Sequence, residues 1–366
     1  MIRILHIVSS LGTGSGVMSV LMSYHRCIDR SQIQFDYLSF RPTEQTYEEE
    51  IKTLGGRVYH FCRPSFSRSF REKADAFFKE HGQEYPIVHC HPIYASALFG
   101  PSARRGGVAH VVQHSHTTKL SENPLSALRN FAVLLLFGRR ATDLAACSEA
   151  AKRIFFWADP KKVYLMRNAI DAKKFRFSPQ ARTRIRAMLS IADDAPVLIH
   201  IGRFSKEKNH PFLLQLFQEV HSKKPDARLI LVGDGEEMGH VRALTEKAGL
   251  TGAVIFAGRQ ACVADYLSAA DCFVLPSLFE GLGIVLVEAQ ANGLPCYASE
   301  NVPKEAAATA LVTFLPLKNG PLYWSDKILN SLPPELSERM QTEIADRFAI
   351  DAAAADLTAY YLNLLQ

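Results

Sequence analysis

Four short segments of this 366-residue chain place residue types that do chemistry at spacings that favour it. The first is Gly12-Thr13-Gly14-Ser15-Gly16, between an apolar run and a helical one. A glycine-rich loop opening a helix lets backbone N–H groups approach an anion, helped by the helix dipole; a flexible turn is the alternative. A dinucleotide fingerprint beginning at Gly12 needs glycine at 17, where Val17 stands, so that reading is weak. The second is Gly202-Arg203-Phe204-Ser205-Lys206-Glu207-Lys208-Asn209-His210-Pro211. Arg203 leaves a strand end directly, and Lys208 sits just ahead of a helix that Pro211 opens and Asn209 or His210 caps. Two such cations can converge on one diphosphate; the alternative is a solvated loop.

The third segment is Phe279-Glu280-Gly281-Leu282-Gly283-Ile284-Val285-Leu286-Val287-Glu288-Ala289. A helix starting near Leu282 presents free N–H groups, and Glu288 then lies about 9 Å along its axis. An ionised glutamate between Val287 and Ala289 is costly without a partner, which suggests a ligand hydroxyl pair; a solvent-facing position is the alternative. The fourth is His114-Ser115-His116-Thr117-Thr118-Lys119, and His89 and His91 repeat the i, i+2 spacing. Such rings share one strand face and can ligate a metal, sit satisfied in a core, or meet a substrate. No carboxylate or cysteine stands nearby to complete a familiar ligand set, so no metal is assigned.

These segments need elements to position them. Apolar, β-branched runs at 2–8, 35–40, 58–61, 87–90, 110–113, 144–147 and 163–166 alternate with helical stretches, as buried parallel strands do. Residues 171–186 are polar and basic with no strand, and the pattern restarts at 197–201, 229–232, 254–256, 272–275, 296–298 and 312–315. Two such series predict an α/β protein of two doubly wound domains, residues 1–170 and 171–349, joined near 169–174. Residues 351–365 read as an apolar-striped helix (Leu357, Tyr360, Tyr361, Leu364) that needs a surface to cover. Doubly wound sheets bind ligands at the carboxyl ends of their strands, where all four segments fall.

Composition excludes other classes. With 48% hydrophobic and 22% charged residues, disorder and collagen-like repeats are out. Seven scattered cysteines without a C-x-x-C pair suggest free thiols and a reducing compartment. No secretion signal and no apolar run of spanning length is present, so a cytoplasmic chain is expected. Residues 1–168 carry 22 Lys/Arg against 14 Asp/Glu, and residues 169–366 carry 20 against 23. A half this basic favours an acidic partner such as anionic lipid, phosphate or nucleic acid; plain solubility is the alternative.

Together the segments resemble the family 4 glycosyltransferases of GT-B fold, especially bacterial enzymes building capsule and exopolysaccharide chains. The resemblance spans nearly the whole chain and is most specific at Glu280 to Glu288 within FEGLGIVLVEAQANGLP, with GRFSKEKN, LVGDGEE, FAGR and AADCFVLPS in support. It implies two Rossmann-like domains facing across a cleft, an acceptor-binding N-terminal domain that regains residues 350–366 as a returning helix, and a nucleotide-sugar-binding C-terminal domain. It also implies retaining transfer from a nucleotide-sugar, usually a UDP-sugar, to a glycan or lipid-linked acceptor, without a metal or other cofactor and without nucleic acid. Peripheral contact with anionic membrane at its inner face goes with that reading.

Carried over by residue, Glu288 resembles the acid on the ribose hydroxyls and Glu280 the acid facing the donor sugar. The backbone of Gly281, Leu282, Gly283 and Ile284 lies near sugar and phosphate. Arg203 and Lys208 form the diphosphate clamp, Gly16 meets the phosphate, Arg259 contacts the base, and His116 is the active-site histidine. Ser15-Gly16 stands where the family often has Gly-Gly, and Met18 where it often has a small or acidic residue. Epimerases and phosphorylases of the same fold, or a catalytically inactive glycan-binding module, are the alternatives.

Overall fold

The computed structural model describes residues 1–117, 120, 124–332, 336–339, 342–344 and 346–366. Thr118 and Lys119 of the fourth segment lie outside the described residues. The chain divides into two compact units, Met1–Ala169 with Ile350–Gln366, and Ile170–Ala349.

The first unit holds seven strands: β1 (Ile2–Val8), β2 (Ile33–Ser39), β3 (Val58–His60), β4 (Ile87–Cys90), β5 (His110–Ser115), β6 (Asp143–Ala146) and β7 (Tyr164–Leu165). They pair in parallel in the order β3-β2-β1-β4-β5-β6-β7, so the order reverses between β1 and β4. Alternate residues serve opposite faces. Ile4 and Val8 join one core with Phe35, Ile87 and Val112. Leu5 and Ile7 join another with Val88, Cys90 and Val111. With both faces covered, a strand has no polar side, which explains the continuous apolar runs.

The first face is roofed by the helix Gly16–Cys27, capped by the Ser15 side chain, and by the C-terminal helix Ile350–Leu364. The latter buries Ile350, Ala354, Leu357 and Tyr361, spaced to form one stripe, and Tyr360 stacks on Tyr164 at 3.9 Å.

The second unit holds β8 (Val197–Ile201), β9 (Arg228–Val232), β10 (Val254–Gly258), β11 (Cys272–Leu275), β12 (Cys296–Ser299) and β13 (Val312–Leu315). They are parallel in the order β10-β9-β8-β11-β12-β13. The basic stretch ahead of β8 forms the helices Ala172–Phe175 and Pro179–Met188. Two of its arginines turn inward: Arg182 and Arg186 grip Asp271 at 2.7 and 2.8 Å, and Asp271 also accepts from Val197 N–H at 2.8 Å. One buried carboxylate therefore ties the start of β8 to the start of β11. The cysteines of this structure are free thiols. Among the described residues no helix is long and apolar enough to cross a membrane.

Candidate functional site

In the second unit the sheet order reverses between β8 and β11, so the loops leaving their carboxyl ends meet. Lys208 Nζ donates to Glu280 Oε1 at 2.6 Å, and Ser277 Oγ donates to the same oxygen at 2.7 Å. Leu278 N–H donates to the Glu207 carbonyl at 2.8 Å, and Asn209 Nδ2 to the Pro276 carbonyl at 3.1 Å. Asn209 occupies the cap position of the helix His210–Lys223 at φ 55°, a left-handed conformation that asparagine tolerates. Its side chain clasps the neighbouring loop and leaves the helix end uncapped.

A second pair of loops is zipped backbone to backbone. Gly202 N–H donates to Val232 O, Phe204 N–H to Asp234 O and Glu237 N–H to Phe204 O. Gly233 makes this approach possible: its φ is 136°, and a Cβ there would lie 1.9 Å from the Gly202 carbonyl oxygen. The zipped loops carry Arg203 to Glu236 at 2.9 Å and face Arg259, at the end of β10, toward Asp234 at 3.5 Å. Arg203 and Lys208 thus each hold a carboxylate of their own, Glu236 and Glu280. Both arginines are well exposed, while Lys208 and Glu280 are mostly covered.

The helix of the third segment begins at Ile284, two residues later than the sequence predicts. The delay comes from Gly283, whose φ of 79° ends the loop in a left-handed turn. Glu288 is therefore the fifth helical residue, about 6 Å along the axis. No side chain hydrogen-bonds its carboxyl among the described residues. Burial pushes this carboxyl up to about 7, against the pull of the Lys174 ammonium. At neutral pH it is only partly ionised.

In the first unit, Gly16 opens the helix Gly16–Cys27, and a Cβ built there meets nothing within 4 Å. That space leaves the backbone approachable. The glycine loop is anchored, because Gly12 bridges to Thr46 and Thr13 N–H donates to Gln45 O at 3.0 Å. His116 follows β5, stacks on His114 at 3.9 Å, and places Nε2 2.8 Å from His91 Nδ1. Burial lowers the His116 imidazole to about 4, so the ring is neutral near pH 7.

Sequence reasoning missed several members. Ser277, Glu236 and Asp234 meet Glu280, Arg203 and Arg259 only once the loops come together, and the Lys174 charge acts on Glu288 from a neighbouring helix. His6 on β1 and Tyr361 on the C-terminal helix join the histidines. The strand order of a doubly wound sheet, which sets β1 beside β4, was the available signal for His6.

Comparison with known proteins bears on both units. The family described as Glycosyltransferase Family 4 matches residues 14–174, and that described as Glycosyl transferases group 1 matches residues 181–308. EpsF of Bacillus subtilis, named as a glycosyltransferase, is 34% identical over 336 residues, covering 89% of this chain and 86% of its own. An Escherichia coli enzyme named UDP-Gal:alpha-D-GlcNAc-diphosphoundecaprenol alpha-1,3-galactosyltransferase is 26% identical over 225 residues, covering 59% of this chain and 58% of its own. Among solved structures, Anabaena HepE in complex with UDP and glucose superposes with a TM-score of 0.81 at 19% identity, covering 99% of this chain and 100% of its own.

Proposed function

This chain belongs to the family 4 glycosyltransferases of GT-B fold and transfers sugar from a nucleotide-sugar; on that premise we propose that the donor is a UDP-sugar. We further infer a lipid-linked or glycan acceptor, met at the cytoplasmic face of a membrane during cell-surface polysaccharide synthesis. The observation that carries the donor half is the meeting of Lys208, Glu280 and Ser277 at the sheet reversal, followed by a helix whose Glu288 carboxyl has no side-chain hydrogen bond among the described residues. The UDP of the Anabaena structure and the UDP-Gal in the Escherichia coli enzyme's name support the nucleotide.

Under this reading Glu288 accepts from the ribose hydroxyls, Arg259 meets the base, and the first-turn N–H groups after Gly283 face the donor's sugar and phosphate. Arg203 and Lys208 exchange Glu236 and Glu280 for the diphosphate, freeing Glu280 to hold sugar hydroxyls. The bond from the anomeric carbon to the diphosphate breaks, and a bond to the acceptor oxygen forms on the same face. The acceptor's hydroxyl proton passes to the leaving phosphate oxygen. Charge grows on the diphosphate as its bond breaks, so preorganised cations stabilise the transition state more than the ground state, and no metal is needed. In the first unit, Gly16 and the neutral His116 are the residues we assign to the reaction, and that unit receives the acceptor.

The membrane half rests on the helix Pro124–Phe137. Leu125, Leu128, Leu135 and Leu136 are exposed on it, and its Phe137 and Phe131 rings lie 5.5 and 5.3 Å from Phe66 and Phe156. Apolar patches of this kind mark interaction surfaces. Arg129, Arg139 and Arg140 stand on or just after that helix, and basic residues beside anionic lipid contribute on the order of 1 kcal/mol each. Other basic residues of this half are already engaged, Arg68 with Glu72 and Arg105 with Asp75.

Incubation of the purified protein with a panel of UDP-, GDP- and ADP-sugars and a lipid-linked saccharide tests the proposal. Transfer is expected from a UDP-sugar, with kcat falling about 10²-fold or more in Lys208→Met. Absence of transfer from every donor, or full activity in Lys208→Met, refutes it.

A further inference from the structure

At the end of the first sheet away from Gly16 and His116, a pocket of about 590 Å³ opens where β6 and β7 begin. Its walls come from Asp143 at the start of β6, from the segment 157–162 ahead of β7, and from Tyr360 and Leu364 on the C-terminal helix. Neighbouring strands β5 and β6 run parallel, so Asp143 stands at the amino end of the sheet, while His116 follows the carboxyl end of β5. The length of β6, about 10 Å at about 3.3 Å per residue, lies between them. We propose that this pocket binds a neutral pyranose unit of a glycan, at a site separate from the one where sugar is transferred.

The volume is that of a small-ligand site, about 300–1,000 Å³, and the lining decides the ligand. Trp157 and Tyr360 supply flat aromatic surface and Leu364 aliphatic surface, which suits the C–H faces of a sugar ring. Asp143, Asp159 and Lys162 supply acceptors and donors around that surface, which suits its hydroxyls. Two carboxylates repel a phosphate or a nucleotide, and the Lys162 ammonium repels a cation. An alkyl chain would strip these groups of water without pairing them. A neutral polyhydroxylated ring uses both kinds of lining.

The walls are fixed from behind. The Trp157 indole lies against Gly138, where a Cβ would stand 2.5 Å from the indole ring. Tyr164 stacks on Tyr360 at 3.9 Å, and the Tyr164 hydroxyl donates to Asp356 at 2.8 Å. Asp143 Oδ2 accepts from Thr142 Oγ1 at 2.6 Å and pairs with His110 Nδ1 at 2.9 Å. Asp159 Oδ1 accepts from Lys161 N–H at 3.0 Å. Other polar atoms of the same residues are left over. Asp143 Oδ1, Asp159 Oδ2 and Lys162 Nζ have no hydrogen-bond partner among the described residues, and the Tyr360 hydroxyl is buried without one. Groups that are already rigid and still have hydrogen bonds to make favour a polar ligand, because little further ordering is needed when it binds.

The chain has two tryptophans, and Trp324 is fully buried in the second unit with its Nε1–H on the Pro316 carbonyl, so a change of emission on adding glycan reports Trp157. Titration of the full chain with maltohexaose, cellohexaose and chitohexaose tests the site, alongside phosphatidylcholine vesicles with and without glucosylceramide. A saturable change is expected with at least one hexasaccharide, or with glucosylceramide vesicles beyond plain ones; the two arms tell a soluble glycan from a glycolipid headgroup. Calorimetry should give the same affinity with and without saturating UDP, and in His116→Ala, since neither touches the pocket. Trp157→Leu should weaken binding about 3- to 10-fold and Asp143→Asn about fivefold or more, with thermal unfolding showing that both variants are folded. No saturable change with any probe overturns the proposal. So does competition by UDP, loss of binding in His116→Ala, or parental affinity in both pocket variants.

Discussion

Replacing Glu288 by Gln should stabilise the ligand-free protein and weaken its hold on the donor. The carboxyl titrates near 4.5 in an unfolded chain and is raised to about 7 by burial in the folded one. Between those values the folded state keeps the proton and the unfolded state loses it. Stability from this group is therefore greatest below the lower value, falls as pH rises through the window, and levels off above about 7. A change of that size corresponds to about 3 kcal/mol, and partial access of water to the carboxyl brings the working figure to about 2 kcal/mol.

Glu288→Gln removes the charge and with it this penalty. At pH 8 the variant should melt about 4–8 °C higher than the parent, at about 2–4 °C per kcal/mol for a unit of this size. The difference should vanish near pH 4.5. UDP should move the other way: hydrogen bonds to a charged group contribute about 1.5–3 kcal/mol, so Kd should rise roughly 10- to 100-fold. Melting curves across pH 4.5–8 and calorimetric UDP titration at pH 8 measure both. Superimposable pH–stability profiles, with a Kd unchanged within about twofold, would refute both the burial argument and the ribose role.

Gly283→Ala puts a Cβ at φ 79° with no atom closer than 3.5 Å, so its cost is backbone strain alone, about 1–2 kcal/mol; denaturant unfolding reads this, and UDP affinity should fall with it. Asp271→Asn leaves Arg182 and Arg186 without their buried counter-charge and should cost about 3–5 kcal/mol; an unchanged denaturation midpoint would show that the arginines find other partners. Leu135→Ser with Leu136→Ser, both on exposed positions, should reduce sedimentation with anionic vesicles severalfold while leaving Tm within about 2 °C.

Much of the architecture can be read from the sequence, because a strand buried on both faces writes itself as an unbroken apolar run. All thirteen predicted runs overlap observed strands, with ends displaced by a residue or two. The helix after Gly283 starts late because Leu282 looks helical by type, and only the left-handed glycine reveals the turn. Among the site residues, Glu280, Glu288 and Lys208 stand out by charge in an apolar or loop setting. Their partners do not. Ser277 meets Glu280 because one loop folds back, and Glu236 meets Arg203 because Gly233 lets two backbones touch. The cluster of histidines around His116 was half visible as two i, i+2 pairs. Its convergence needed the order of β1, β4 and β5, which is a property of topology and not of local spacing.

The final helix carries a consequence for biosynthesis. Its Leu357 and Tyr361 are fully buried with Phe35 and Ile87, yet the 180 residues of the second unit, Ile170–Ala349, are made first. On the ribosome the second unit can fold as a continuous chain. The first must wait for Ile350–Leu364 to emerge before that sheet face, until then roofed by the helix Gly16–Cys27 alone, is fully covered. Its assembly is thus the slow, high-contact-order step. Truncation ahead of Ile350 would expose part of that apolar sheet face, with chaperone binding or aggregation as the outcome.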